Sequence, residues 1–128
     1  MRNINKVIVH CSDTPASMDI GAKTIKDWHI NDRNFSDIGY HFVIRRSGLI
    51  EFGRPVELSG AHAKGHNDES IGICLVGRDS FTPEQFKALK SLYNSCQNIF
   101  GLDITAHGHN EFNSHKTCPN FEVSNYIK

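Results

Sequence analysis

Long apolar runs are missing from this chain. Nothing in it approaches the roughly 18 consecutive apolar residues of a spanning helix, so no membrane partner is expected. An excess of charge is missing too: 14 basic residues balance 14 acidic ones. That leaves no electrostatic footprint of a nucleic-acid or anionic-surface binder. Cysteine is scarce, with four residues, and Cys11, Cys74, Cys96 and Cys118 form no CxxC pair. The first three sit in apolar runs and read as small buried hydrophobes, so the thiols are expected to be reduced. Only Cys118 has a polar, histidine-rich setting. The N-terminal residues enter a strand-like run without a signal peptide's apolar core. The expectation is a protein made in the cytoplasm that acts elsewhere only after release or delivery. Internal repeats, low-complexity tracts and linkers are absent as well.

What is present is ordinary for a soluble globular protein: 38% hydrophobic and 22% charged residues over 128 positions, enough for one domain with a real core. Residues 4–11 are short, apolar and β-branched, and read as a buried strand. Ser12-Asp13-Thr14-Pro15 breaks it. From Gly21 the period changes, and Ala22, Ile25, Trp28 and His29 recur at helical spacing on one face. That helix fades by residues 31–34, and His29 on its margin reads as structural. Residues 39–44 form a second strand, Arg45-Arg46-Ser47-Gly48 a hairpin turn, and residues 49–52 the returning strand. Residues 60–67 are too rich in glycine and small side chains for a regular element. Residues 70–76 are another buried strand. Thr82-Pro83-Glu84-Gln85 then combines an N-cap threonine, proline at the first helical position and glutamine three residues after the cap. Phe86, Leu89, Leu92, Tyr93, Cys96 and Phe100 mark the apolar face of the helix it opens, and Gly101 stops it. Residues 102–106 add an edge strand, and residues 122–127 a short terminal helix with Val123, Tyr126 and Ile127 inward. The pattern predicts an α/β domain over residues 1–128, a mixed central β-sheet flanked by helices.

Chemistry concentrates in residues 106–121. Three of the chain's eight histidines, His107, His109 and His115, lie there beside Lys116 and Cys118. Imidazole and thiolate are the ligands zinc prefers, and a catalytic zinc takes three protein ligands and keeps one position open. This stretch supplies two of the three. His10, near the end of the first strand, is the candidate for the third. Residues two apart on an extended segment point the same way, so periodicity leaves both His107 and His109 open.

Five segments together resemble the zinc N-acetylmuramoyl-L-alanine amidases, a family that includes short phage enzymes and the animal peptidoglycan recognition proteins. They are His10-Cys11-Ser12-Asp13-Thr14, Asp37-Ile38-Gly39-Tyr40-His41-Phe42-Val43-Ile44, His62-Ala63-Lys64-Gly65-His66-Asn67, Ser70-Ile71-Gly72-Ile73-Cys74-Leu75-Val76-Gly77 and Lys116-Thr117-Cys118-Pro119-Asn120-Phe121. The resemblance implies a mixed sheet with a zinc at one end. It also implies cleavage of the amide between N-acetylmuramic acid and the L-alanine of the stem peptide. Carried over residue by residue, it makes His10, His109 and Cys118 the Zn2+ ligands, with His109-Asn110-Glu111-Phe112 matching the family pattern and His107 the lesser candidate. Tyr40 and Lys116 become the catalytic pair, the first orienting water or moving its proton and the second donating to the oxyanion. His62, Lys64 and His66 become contacts to a muropeptide of peptidoglycan, and the protein is expected to be a monomer. Two rivals stand beside this reading: a non-catalytic peptidoglycan-binding domain, and a structural zinc module with four coordinating side chains.

Overall fold

Strand β1 (Lys6–Cys11) carries five consecutive buried residues, Val7 to Cys11. A run buried on both faces belongs inside a sheet with cover on each side. The computed structural model, which describes residues 2–127, places it between β4 (Ser70–Leu75) and β5 (Thr105–Gly108), both parallel to it. Strands β2 (Phe42–Ile44) and β3 (Ile50–Phe52) complete the five-stranded order β3-β2-β4-β1-β5. Strand β2 runs parallel to β4, and β2 with β3 forms the one antiparallel pair among the described residues. The fold is α/β with a mixed sheet.

Two helices cover the two faces. Helix α2 (Pro83–Phe100) starts on the reciprocal cap read from the sequence: Gln85 N–H donates to Thr82 Oγ1 at 3.1 Å, and Thr82 N–H to Gln85 Oε1 at 3.0 Å. An alanine at Thr82 forfeits about 1 kcal/mol of that start. The Gln85 side chain is fully buried and donates onward to the carbonyls of Val76 and Ile44, at 2.9 and 3.2 Å. One residue thus caps the helix and ties it to β2 and β4. Leu89, Leu92 and Cys96 pack on Val7, Val9, Ile71, Ile73 and Leu75, each large apolar side chain adding roughly 1.5–3 kcal/mol before chain entropy is counted. Helix α1 (Ala22–Arg33) lies on the opposite face, where Ile25 joins Ile38, Val43, Cys74 and Val76. It ends as Asn34 adopts the left-handed conformation, φ 56°.

Three elements differ most from the sequence reading. Strand β2 begins at Phe42 rather than Gly39. The Tyr40 and His41 carbonyls accept from Arg54 and Gly53, while His41 N–H donates to Gly72; those residues pair outside the ladder. Strand β5 begins at Thr105, since Leu102 and Asp103 form an exposed turn after the helix. The terminal helix shrinks to one 3-10 turn, Val123–Asn125. Val123 is buried there, whereas Tyr126 is 38% exposed and stacks on Phe86 at 3.7 Å. No helix among the described residues is long and apolar enough to cross a membrane.

Candidate metal centre

Register brings the first two histidines together. Val9 of β1 pairs with Gly108 of β5, so the next residue on each strand, His10 and His109, stands side by side at the carboxyl ends of two parallel strands. Their ring centroids are 4.4 Å apart. Such strand ends are where open α/β sheets bind ligands. Beyond Gly108 the chain enters a 3-10 turn, His109–Glu111, and Asn110 N–H donates to the Cys118 carbonyl at 2.9 Å. That bond holds the cysteine loop against the histidine turn. Cys11 N–H in turn donates to Cys118 Sγ at 3.0 Å. The result is a His10, His109 and Cys118 cluster whose ligand atoms all lie within 4.8 Å of one another.

Gly108 serves this arrangement by its small size. Its φ is −86°, ordinary for any residue, so the turn does not depend on glycine's conformational freedom. A Cβ there would lie 2.9 Å from Pro119 Cδ and 2.6 Å from Asn110 Oδ1, forcing the cysteine loop away.

His107 goes elsewhere. It lies within β5, its Nδ1 is 2.8 Å from Glu111 Oε1 and its Nε2 is 2.7 Å from Thr105 Oγ1. With both ring nitrogens engaged it does not join the cluster. Glu111 also accepts from Gly108 N–H at 2.8 Å, so this carboxylate pins the end of β5.

The cluster sits in an open cleft of about 560 Å³, walled by Tyr40, His62, Lys64, His109, Lys116 and Cys118 among others. Burial holds His10 well below the ordinary imidazole range, with His62 and His109 adding to the effect. His109 is lowered by burial and then by the Lys116 ammonium. Both are therefore neutral at pH 7, the state in which imidazole ligates. Cys118 is pushed up, first by its hydrogen bond with the Cys11 thiol and then by burial. The same contact lowers the Cys11 thiol, so without a cation these shifts favour the thiol rather than the thiolate at Cys118. A coordinated cation reverses the preference, because a coordinating thiol is deprotonated outright, and the Cys11 amide at 3.0 Å already faces that sulfur. Two imidazoles and a thiol gathered this closely are the ligand types that zinc takes. The donor set fits the ion.

Tyr40 packs at a tilt against His10 and His29, with ring centroids 5.0 and 5.4 Å away. Burial, then the neighbouring Cys74 and Cys118 thiols, raises its hydroxyl well above the usual range, so it remains a proton-bearing donor. Lys116 is exposed at the cleft wall.

The expected substrate contacts divide. Lys64 is exposed on the cleft. His62 lines it too, but its Nδ1 is 2.8 Å from His10 Nε2 and its Nε2 is 3.3 Å from Ser70 Oγ. Its imidazole lies over Gly72, where a Cβ would approach it to 2.6 Å. His66 packs at a tilt against Phe112, ring centroids 4.4 Å apart, outside the residues that form the cleft, with Nδ1 3.4 Å from Glu69 Oε1 but no hydrogen bond. Sequence reasoning passed over Arg33, Phe35 and Asn113, which also line the cleft, and gave no role to His115, which lines it too; no ligand spacing marks them. A second hollow, bordered by Trp28 and Asp32, shares Tyr40 and Arg33 with the cleft.

His29 accepts from Gly39 N–H at 2.8 Å and is buried, and His41 accepts from Gly72 N–H at 3.0 Å. Both are lowered to about 4, mainly by burial, from an ordinary value of 6.5. Below about pH 6.5 the unfolded chain takes up protons that these folded imidazoles refuse. Their stabilising contribution is therefore complete above pH 6.5 and declines as pH falls toward 4. The expected result is a lower urea midpoint for metal-free protein at pH 5 than at pH 7.5. An unchanged midpoint would mean that these rings are not held neutral.

A family model described as N-acetylmuramoyl-L-alanine amidase matches residues 1–121. The endolysin of Klebsiella phage KP32 is 39% identical over 131 residues, covering 95% of this chain and 84% of that protein. The solved N-acetylmuramoyl-L-alanine amidase LysC from Clostridium intestinale superposes with a TM-score of 0.87 at 28% identity, covering 99% of this chain and 88% of that one. A mutant of Drosophila PGRP-LB, solved in complex with tracheal cytotoxin, gives 0.83 at 28% identity, with 96% and 79% covered. A match that runs from before β1 through the cysteine loop takes in the whole sheet and both sides of the cleft: the chain belongs to the N-acetylmuramoyl-L-alanine amidase family.

Proposed function

We propose that this protein is a zinc-dependent peptidoglycan hydrolase of the endolysin kind, cutting the amide between N-acetylmuramic acid and the L-alanine of the stem peptide. The observation that carries the reading is the His10, His109 and Cys118 cluster lining one cleft together with Tyr40 and Lys116. His10, His109 and Cys118 would hold Zn2+, which when bound would supply Lewis-acid chemistry, lowering the pKa of water and polarising a carbonyl. Lys116 donates to the oxygen that gains charge as the amide carbon becomes tetrahedral. Tyr40, kept protonated by burial, presents a hydroxyl that orients the attacking water. The cleft's volume of about 560 Å³, with a second hollow beside Tyr40 and Arg33, suits a muropeptide better than a small amide. The tracheal cytotoxin bound by the PGRP-LB mutant and the endolysin relative support a cell-wall substrate. The chain acts as a monomer on the wall after release from the cytoplasm where it is made.

Mass spectrometry of peptidoglycan digested with the purified protein tests this directly. Free stem peptides beginning with L-alanine are expected, and a chelator is expected to abolish their release while leaving the far-ultraviolet circular dichroism largely intact. The α2 face and the core strands pack without the metal. Binding to the wall with no released peptide would favour the non-catalytic recognition module instead.

A further inference from the structure

His62 commits both ring nitrogens inside the protein, which leaves it no polar atom for a substrate. The direction of its hydrogen bonds is set at the far end of the chain they form. Ser70 Oγ lies 2.7 Å from the His66 carbonyl, and a carbonyl only accepts, so the serine hydrogen points there. Ser70 Oγ therefore accepts from His62 Nε2–H at 3.3 Å. A neutral imidazole protonated on Nε2 carries its lone pair on Nδ1. That atom, 2.8 Å from His10 Nε2, accepts, and His10 must donate from Nε2. His10 is then left with an unprotonated Nδ1, free to ligate.

The backbone holds this chain in place. The amides of His62 and Ala63 both donate to Asn67 Oδ1, each at 2.9 Å, and Ser70 is fully buried at the start of β4. The absence of a side chain at Gly72 makes room for the His62 ring. We propose that the Ser70–His62 relay is a positioning device that holds His10 in the one tautomer and orientation that offers Nδ1 to the metal. It rests on the zinc-amidase reading above and replaces the expectation that His62 touches substrate. Histidine ligands generally carry such an outer partner, whose loss costs about 10–100-fold in metal affinity.

The test is zinc affinity, measured by competition with a chromophoric chelator on the purified protein. His62→Phe keeps a ring over Gly72 but removes the acceptor, and its zinc affinity is expected to fall about 10–100-fold. His62→Asn restores an acceptor near the Nδ1 position and is expected to recover most of the loss. Ser70→Ala, a smaller change that guards against misfolding of the ring variants, is expected to weaken zinc binding to a lesser degree. Histidine-selective 15N spectra of the zinc-loaded parent should show His10 protonated at Nε2 and metal-bound at Nδ1. Zinc affinity of His62→Phe within about threefold of the parent overturns the proposal, as does His10 bound through Nε2. A change confined to KM overturns it as well, since that is the signature of a substrate contact. A parent that binds zinc but releases no stem peptide sinks the amidase reading alone; one that cleaves normally beside an unimpaired His62→Phe sinks the relay alone.

Discussion

His109→Ala is expected to lose zinc and peptidoglycan hydrolysis together, whereas His107→Ala keeps the metal and at least about a tenth of the rate, a barrier change on the order of 1.4 kcal/mol. The two residues are two apart and lie in the same histidine-rich stretch, so the contrast is a sharp one. Its basis is register. Gly108 pairs with Val9, so His109 falls beside His10 at the strand ends, while His107 pairs one step back with Ile8 and is held by Glu111 and Thr105. Removing His109 leaves two ligands, too few to hold zinc at ordinary concentrations. Removing His107 frees Glu111, which still accepts from Gly108 N–H, so the end of β5 loosens without losing a ligand. Zinc titrations of the two purified variants, run beside digestion assays, decide the matter. Metal loss in His107→Ala with normal zinc in His109→Ala would reverse the assignment.

Features that local chemistry determines are legible in the sequence alone. The Thr82–Gln85 cap needs only four consecutive residues, and the buried character of β1 and β4 follows from unbroken apolar runs. The hairpin between β2 and β3 announces itself through a glycine-containing turn. What stays open at the level of sequence depends on partners distant in the chain. The start of β2 shifts because Tyr40 and His41 bond to Gly53, Arg54 and Gly72, none of them local. His107 and His109 separate only once β5 is aligned with β1. His62 and His66 look alike in a loop of small residues, yet one lies against His10 and the other against Phe112. The difference arises from Asn67 and Ser70, which no ligand-spacing rule would select. Gly108 likewise owes its place to closeness to Pro119 rather than to a special backbone angle.

Lys116→Ala is expected to lower turnover by roughly 10²–10³-fold while leaving zinc content unchanged. The residue is exposed and carries no side-chain hydrogen bond among the described residues, so its removal disturbs no packing. Its charge nevertheless reaches the site, since it helps to hold His109 neutral. An ammonium on the cleft wall gains most from an oxygen that becomes charged only as the amide carbon turns tetrahedral, so the loss should appear in kcat more than in KM. Lys116→Arg should recover part of the rate, because charge is kept while the point donor is replaced by a broader fork. Tyr40→Phe is the matching control on the other wall: it removes a hydroxyl held protonated by burial, keeps the ring against His10, and should also retain zinc while losing much of the rate. Stopped-time digestion of purified muropeptide, with metal analysis of each variant, separates the two contributions. Parental rates in both variants would mean that the cleft walls do not take part in the chemistry, even with the metal in place.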